Sequence, residues 1–175
     1  MHHARWLIGS VAISLGLASS LSAESDSKTV QVTATILPRL ELTVTPETGE
    51  SIAFGAITQP APGDRAARSV KVSLNVFSNL DRPYQVTQLV RQPLSTAAGS
   101  TIPAAQFLVT AHDAARGQLV PVQPTAILPG AATTLYISDS RGKSDAFLAD
   151  YSLTVTPETP AGDFHTEIVY TVTTL

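Results

Sequence analysis

Chemistry in this 175-residue chain would have to come from four histidines, a run of spaced aspartates and one Gly-Lys-Ser step. His2 and His3 lie in the first residues, which leaves His112 and His165 in the body of the chain. Two histidines so far apart make a poor metal set, and His112 beside Asp113 is an imidazole next to a carboxylate without a nucleophile motif. Both are expected to be ordinary surface or loop histidines. Gly142-Lys143-Ser144 resembles the end of a phosphate-cradling loop, but the glycine required five positions earlier is Ile137, so the tight turn is missing. Asp139, Asp145 and Asp150 lack the glycine and the terminal glutamate of a compact calcium loop and read as solvated loop residues. The chain has no cysteine, which excludes thiolate, disulfide and redox chemistry of its own. The expectation is a protein without catalytic residues, metal or cofactor.

The elements that would position any site are bounded by composition. Charged residues are 14% of the chain, 11 Lys and Arg against 14 Asp and Glu, with no basic stripe for a phosphate backbone. Nucleic acid is excluded as a partner on that ground. The hydrophobic content of 43% is too high for disorder, the prolines and glycines are scattered, and the length suits one domain.

Residues 1–23 read as a signal peptide: Arg5 supplies a short charged start, Trp6 to Leu21 an apolar run broken by Gly and Ser, and Ala18 to Ala23 a small-residue cleavage region. Cleavage is placed after Ala23. Export makes disulfides available, so a cysteine-free exported fold must be closed by packing or by a partner.

From residue 29 the hydrophobic period is two. Val30, Val32, Ala34, Ile36, Leu40, Leu42 and Val44 occupy even positions, with polar residues on most odd ones. Pro38 keeps the phase but removes a backbone donor, which predicts two strands with a joint. The pattern returns at 70–76, 84–90, 106–111, 133–138, 151–155 and 168–172, separated by turn clusters. This predicts an all-β antiparallel sandwich, with short helical turns at most near Pro103 to Gln106 and Ser144 to Leu148.

Val30 to Ile36 would span about 20 Å as a strand. An extended tail with one apolar edge can complete another molecule's sheet, its main chain giving register and its alternate side chains filling pockets. It can equally be the first strand of its own sandwich, and alternation alone leaves both readings open.

The stretch Val30-Gln-Val-Thr-Ala-Thr-Ile-Leu-Pro-Arg-Leu-Glu-Leu42 resembles the mature N-terminus of major pilins of alpha-class, colonisation-factor type chaperone-usher fimbriae. Ser69 to Asn79 with Tyr84 to Val90, and Thr159-Pro-Ala-Gly-Asp-Phe with Ile168 to Leu175, extend the likeness, while Pro93 to Ala132 departs from it. The resemblance implies an immunoglobulin-like β-sandwich lacking its last strand, in residues 38–175, preceded by a donor strand in residues 24–37. It implies Val30, Val32, Ala34 and Ile36 as donor side chains, and Ile168, Tyr170, Val172 and Leu175 as an acceptor groove along the strand from His165 to Thr174. The implied partners are identical or related pilin subunits, a periplasmic chaperone with basic residues for the carboxylate of Leu175, an outer-membrane usher, and host or abiotic surfaces met by the fibre. The implied location is the cell surface, reached through the periplasm, and the implied role is a structural subunit of a pilus that supports adhesion. The rival reading is a monomeric secreted or periplasmic β-sandwich binding module, with loops such as Asp139 to Ser144 holding a ligand.

Overall fold

The computed structural model describes residues 28–175, so the expected signal peptide lies outside the described residues. Nine strands follow in chain order: β1 Leu40–Pro46, β2 Ala66–Ser78, β3 Tyr84–Val90, β4 Phe107–His112, β5 Gln118–Leu119, β6 Thr125–Ala126, β7 Ala132–Ile137, β8 Asp145–Val155 and β9 Ile168–Thr174. A single 3-10 turn, Ala104–Gln106, precedes β4. They form two antiparallel sheets, one in the order β1-β2-β8-β4-β6 and the other β5-β7-β3-β9. The protein is an all-β sandwich.

The alternation of side chains builds the core directly. In β2 the even residues Val70, Val72, Leu74 and Val76 are buried while Lys71 and Asn75 are exposed. In β8 the odd residues Phe147, Ala149, Tyr151 and Leu153 are buried opposite them, as the register Leu74↔Phe147 and Val72↔Ala149 requires. From the second sheet Tyr84, Val86, Val90, Leu135 and Tyr136 face the same core. Tyr136 stacks on Phe147 across the two layers at 5.0 Å, and Phe107 lies beside Tyr151 at 6.1 Å.

Two sequence expectations need correction. Val30 to Ile36 forms no strand: residues 28–39 carry no ladder, and β1 begins at Leu40. A strand is defined by its partner, and an apolar alternation without one remains only extended chain. Residues 36–175 form one compact unit, whereas residues 28–35 belong to a separate N-terminal unit. Ser144 to Leu148 contains no helical turn, since β8 starts at Asp145 and runs for 11 residues. The turn expected near Gln106 is present.

Gly142 shows why the Gly-Lys-Ser step is a sandwich turn. Its φ is +55°, and a Cβ there would lie 1.8 Å from the carbonyl oxygen of Arg82. The β7–β8 loop thus packs on the β2–β3 loop through a position that only glycine fills. Asp139 Oδ1 accepts from the amides of Arg141 and Lys143 at 3.1 Å each, so the loop's donors turn inward onto its own aspartate.

Candidate functional site

A seven-stranded immunoglobulin-type sandwich places strands A, B, E and D in one sheet and C, F and G in the other. Here β1, β2, β8 and β4 stand in the first order, and β3 and β9 stand as C and F. β9 ends its sheet, and among the described residues no strand pairs with its outer edge.

Which backbone groups that edge presents follows from the pairing with β3. The amide of Leu175 donates to Pro83 O at 2.9 Å, and the amide of Arg91 donates to Glu167 O at 3.3 Å. Odd residues of this segment therefore turn their N–H and C=O toward β3, and the even residues Ile168, Tyr170, Val172 and Thr174 turn theirs to the open side. The side chains of Ile168, Tyr170 and Val172 face inward and are half-buried against the core.

Beside this edge lies a groove of about 1010 Å³ between the two sheets. β1 contributes Val44 and Pro46, β9 contributes Ile168 and Tyr170, and Phe107, Leu153 and Val155 form the floor. Two loop segments that sequence reasoning missed complete the walls: residues 50–57, after β1, and residues 159–166, before β9. The spacing of Ile52, Phe54 and Ile57 was the available signal, since all three are half-buried and pack on the core. Phe54 meets Phe107 edge-on with ring centroids 6.1 Å apart. Gln59 ties the two walls together, its Nε2 donating to Pro157 O and to Thr159 O.

Of the four acceptor residues named from the resemblance, Ile168 and Tyr170 line this groove. Val172 is half-buried but sits outside the lining, and the side chain of Leu175 is exposed. The four donor residues Val30, Val32, Ala34 and Ile36 are all exposed, the largest three at 81%, 89% and 84%.

Tyr170 connects the groove to the interior. Its hydroxyl donates to Tyr151 Oη at 2.8 Å, and the Tyr151 hydroxyl donates to Gln88 Oε1. This polar thread crosses from β9 through β8 to β3. Burial pushes the Tyr170 phenol up to about 12, with the Tyr151 hydrogen bond opposing the rise, so the phenol is neutral at ordinary pH.

The charged lining is one-sided: Glu50 and Asp163 are present, with His165, and no Lys or Arg. His165 is exposed, and its backbone exchanges hydrogen bonds with Ser95 at 3.0 and 3.1 Å. This holds the strand that becomes β9 in place. The other end of β9 adjoins the β2–β3 and β7–β8 loops, which carry Arg82, Arg141 and Lys143 alongside Asp81 and Asp139.

The remaining titratable candidates are dispersed. His112 Nδ1 lies 2.8 Å from Asp113 Oδ2, and its Nε2 lies 3.2 Å from Asp150 Oδ2. Partial burial opposes its charge, but the two carboxylates outweigh this and raise its pKa. Asp145 is buried and accepts from Tyr136 Oη at 2.8 Å and from the amides of Ala115 and Arg116 at 3.2 and 2.9 Å. Desolvation would raise its pKa, yet these donors win and lower it. Asp139, Asp145 and Asp150 thus serve a turn, a buried hydrogen-bond centre and an ion pair, and do not converge. No protein-family model matches this chain, and no curated protein matches it.

Proposed function

We propose that this protein is a structural subunit that polymerises head to tail, each copy giving its residues 30–36 to the groove of the next, as in chaperone-usher pili. The observation that carries the reading is the unpaired outer edge of β9 above an apolar groove. An uncovered strand edge over apolar side chains invites another strand. The chain itself holds a segment of suitable length, with four apolar side chains on one phase.

The energetics favour a strong contact. Burying two valines and an isoleucine contributes on the order of 1.5–3 kcal/mol each before the cost of ordering the tail. A contact between a tail and a different surface of the next copy is heterologous, so it propagates instead of closing. In this reading the segment reaches the cell surface by export, with a periplasmic chaperone covering the groove and an outer-membrane usher exchanging it for the next tail.

The test is size-exclusion chromatography of the chain from Glu24 onward, with and without a synthetic peptide of residues 28–38. Concentration-dependent oligomers that the free peptide caps as monomers support the reading. A stable monomer that ignores the peptide overturns it and favours a closed binding module.

A further inference from the structure

The outer face of the second sheet carries no charge. Its strands β5, β7, β3 and β9 contain no Asp, Glu, Lys or Arg, and the chain is uncharged without interruption from Gly117 to Ser138. The outer face of the first sheet, by contrast, presents Glu41, Lys71 and Asp150. Charges return only past the strand ends of the second sheet, with Arg91 and Glu167 at one end and Arg82 and Arg141 at the other. An uncharged centre within a charged rim has the anatomy of a protein contact surface. We propose that this face packs on the same face of a second copy, about a two-fold axis near Thr87. The pair contact stands on the face alone, and its consequence for fibres rests on the head-to-tail reading.

Alternation decides which side chains stand there. In β3 Tyr84, Val86, Gln88 and Val90 are buried, so Thr87 and Leu89 point outward, and the registers Thr87↔Thr134 and Thr87↔Thr171 draw a threonine row across three strands. Leu89 and Val169, directly paired, form an apolar row beside it. Thr48, Thr125 and Thr166 spend their hydroxyls on carbonyls of their own chain, whereas among the described residues the hydroxyls of this row have no such partner.

That composition selects the occupant. A hydroxyl both donates and accepts, so a threonine row is complementary to a copy of itself, as a row of lysines or carboxylates would not be. The tyrosines of these strands turn inward, which leaves no ring on which a flat ligand could stack. A charged ligand finds no counter-ion. With a net charge of −3, two copies also repel least across a face that contributes none of it.

Size and symmetry set the consequence. Four strands span about 19 Å, and seven residues of β3 or β9 about 23 Å, so the face offers roughly 400 Å² a side. Stable complexes bury about 800 Å² a side. Free copies should therefore pair weakly, with a dissociation constant on the order of 0.1–1 mM. A face meeting itself is isologous, whereas the head-to-tail step that builds a fibre is heterologous, so this contact joins copies that belong to different fibres. Repeated along two fibres, the weak pair becomes a firm lateral bond. A tail donated beyond β9 would make β3 the middle of five strands, with Thr87 at its centre.

The test is sedimentation equilibrium of the chain from Glu24 onward, with excess peptide of residues 28–38 to cap any polymer. Thr87→Lys and Thr87→Glu set like charges against each other at the two-fold axis. Each should weaken pairing at least about tenfold, while an equimolar mixture of the two should pair at least as tightly as the natural chain. Thr171→Lys, at an exposed position, should weaken it by a similar factor, and Asn75→Lys, exposed on the other sheet, should leave it unchanged. In negative stain, Thr171→Lys should turn paired fibres into single ones of unchanged length. A natural chain that stays monomeric at about 1 mM, pairing that survives Thr171→Lys, or Thr87 variants that pair no better mixed than alone overturns the proposal. The peptide's effect on polymer length reads tail donation and the mixing reads the face, so each can fail without the other.

Discussion

Asn79 holds Arg39 at the root of the N-terminal tail: the amide of Arg39 donates to Asn79 Oδ1 at 2.6 Å, and the same carboxamide donates through Nδ2 to Leu37 O at 3.0 Å. One side chain thus grips the backbone on both sides of Pro38, where the pyrrolidine ring already fixes φ and biases Leu37 to extended conformations. Because the amide of Asn79 also donates to Arg39 O at 3.2 Å, the start of β1 is tied to the end of β2 by three bonds. Asn79→Ala removes the two side-chain bonds and should destabilise the fold by about 1–2 kcal/mol, measured as a shift in the urea midpoint. Asn79→Asp keeps the acceptor for Arg39 and should lose roughly half as much.

Asp145 gives a pH-dependent signature. Its folded pKa is depressed, so its stabilisation is present above the unfolded value near 3.9 and disappears as pH falls through the folded value. Asp145→Asn should cost about 2–3 kcal/mol at pH 7, because Tyr136 and the backbone amides of Ala115, Arg116 and Ala146 lose a charged acceptor. The gap between the variant and the natural protein should narrow below about pH 4 in denaturant titrations. A gap independent of pH would contradict the charged state of Asp145.

His112 should behave with the opposite sign. Its folded pKa is raised by Asp113 and Asp150 against partial burial, so its contribution is complete below the unfolded value of about 6.5 and is lost as pH rises through the folded value. His112→Asn should lower the melting temperature at pH 5.5 and leave it nearly unchanged at pH 8.5. Thermal melts at the two values, in low salt, provide the check.

Gly142 tests the contact between the two loops at the end of β9. Gly142→Ala must move a backbone carbonyl and hold a positive φ, and is expected to cost about 2–3 kcal/mol, above the ordinary range for a loop substitution. Gly130→Ala, also at positive φ but with open space around it, should cost about 1 kcal/mol. Equal losses at the two positions would show that the clash with Arg82 is relieved by movement of the loop.

For the assembly, Val32→Asp should reduce polymerisation at least about tenfold, since a carboxylate must lose its hydration to enter an apolar groove. Export and the folding of residues 38–175 should be unaffected, as Val32 is exposed in the chain by itself. Deleting residues 25–37 should leave a folded subunit that accepts a peptide and cannot donate. Fibres formed by the deletion variant, seen by negative-stain microscopy, would contradict the proposal.

Much of the sandwich was legible because period-two alternation is a local property. β3 at Tyr84–Val90 and the inward residues of β2 could be read from side-chain order alone. The start of β8 could not: Asp145 occupies an inward position, and a carboxylate there is tolerated only because Tyr136 and the Ala115 and Arg116 amides converge on it from distant parts of the chain. β5 and β6 escaped notice because two residues contain no period. Residues 50–57 escaped notice because their Ile and Phe side chains pack without a strand ladder.

The order of residues was sufficient to specify which faces are apolar, where the chain turns, and that both Val30–Ile36 and Leu40–Pro46 carry strand alternation. It could not specify which of those two segments would find a partner within the chain. β1 does, against β2, while among the described residues 30–36 pair with nothing in a ladder and no strand covers the outer edge of β9. That difference depends on which strand edges remain unpaired once two sheets have closed on one core. An edge belongs to the assembled sheet and to no single stretch of sequence, because its hydrogen-bonding groups become vacant or occupied only through residues far away along the chain.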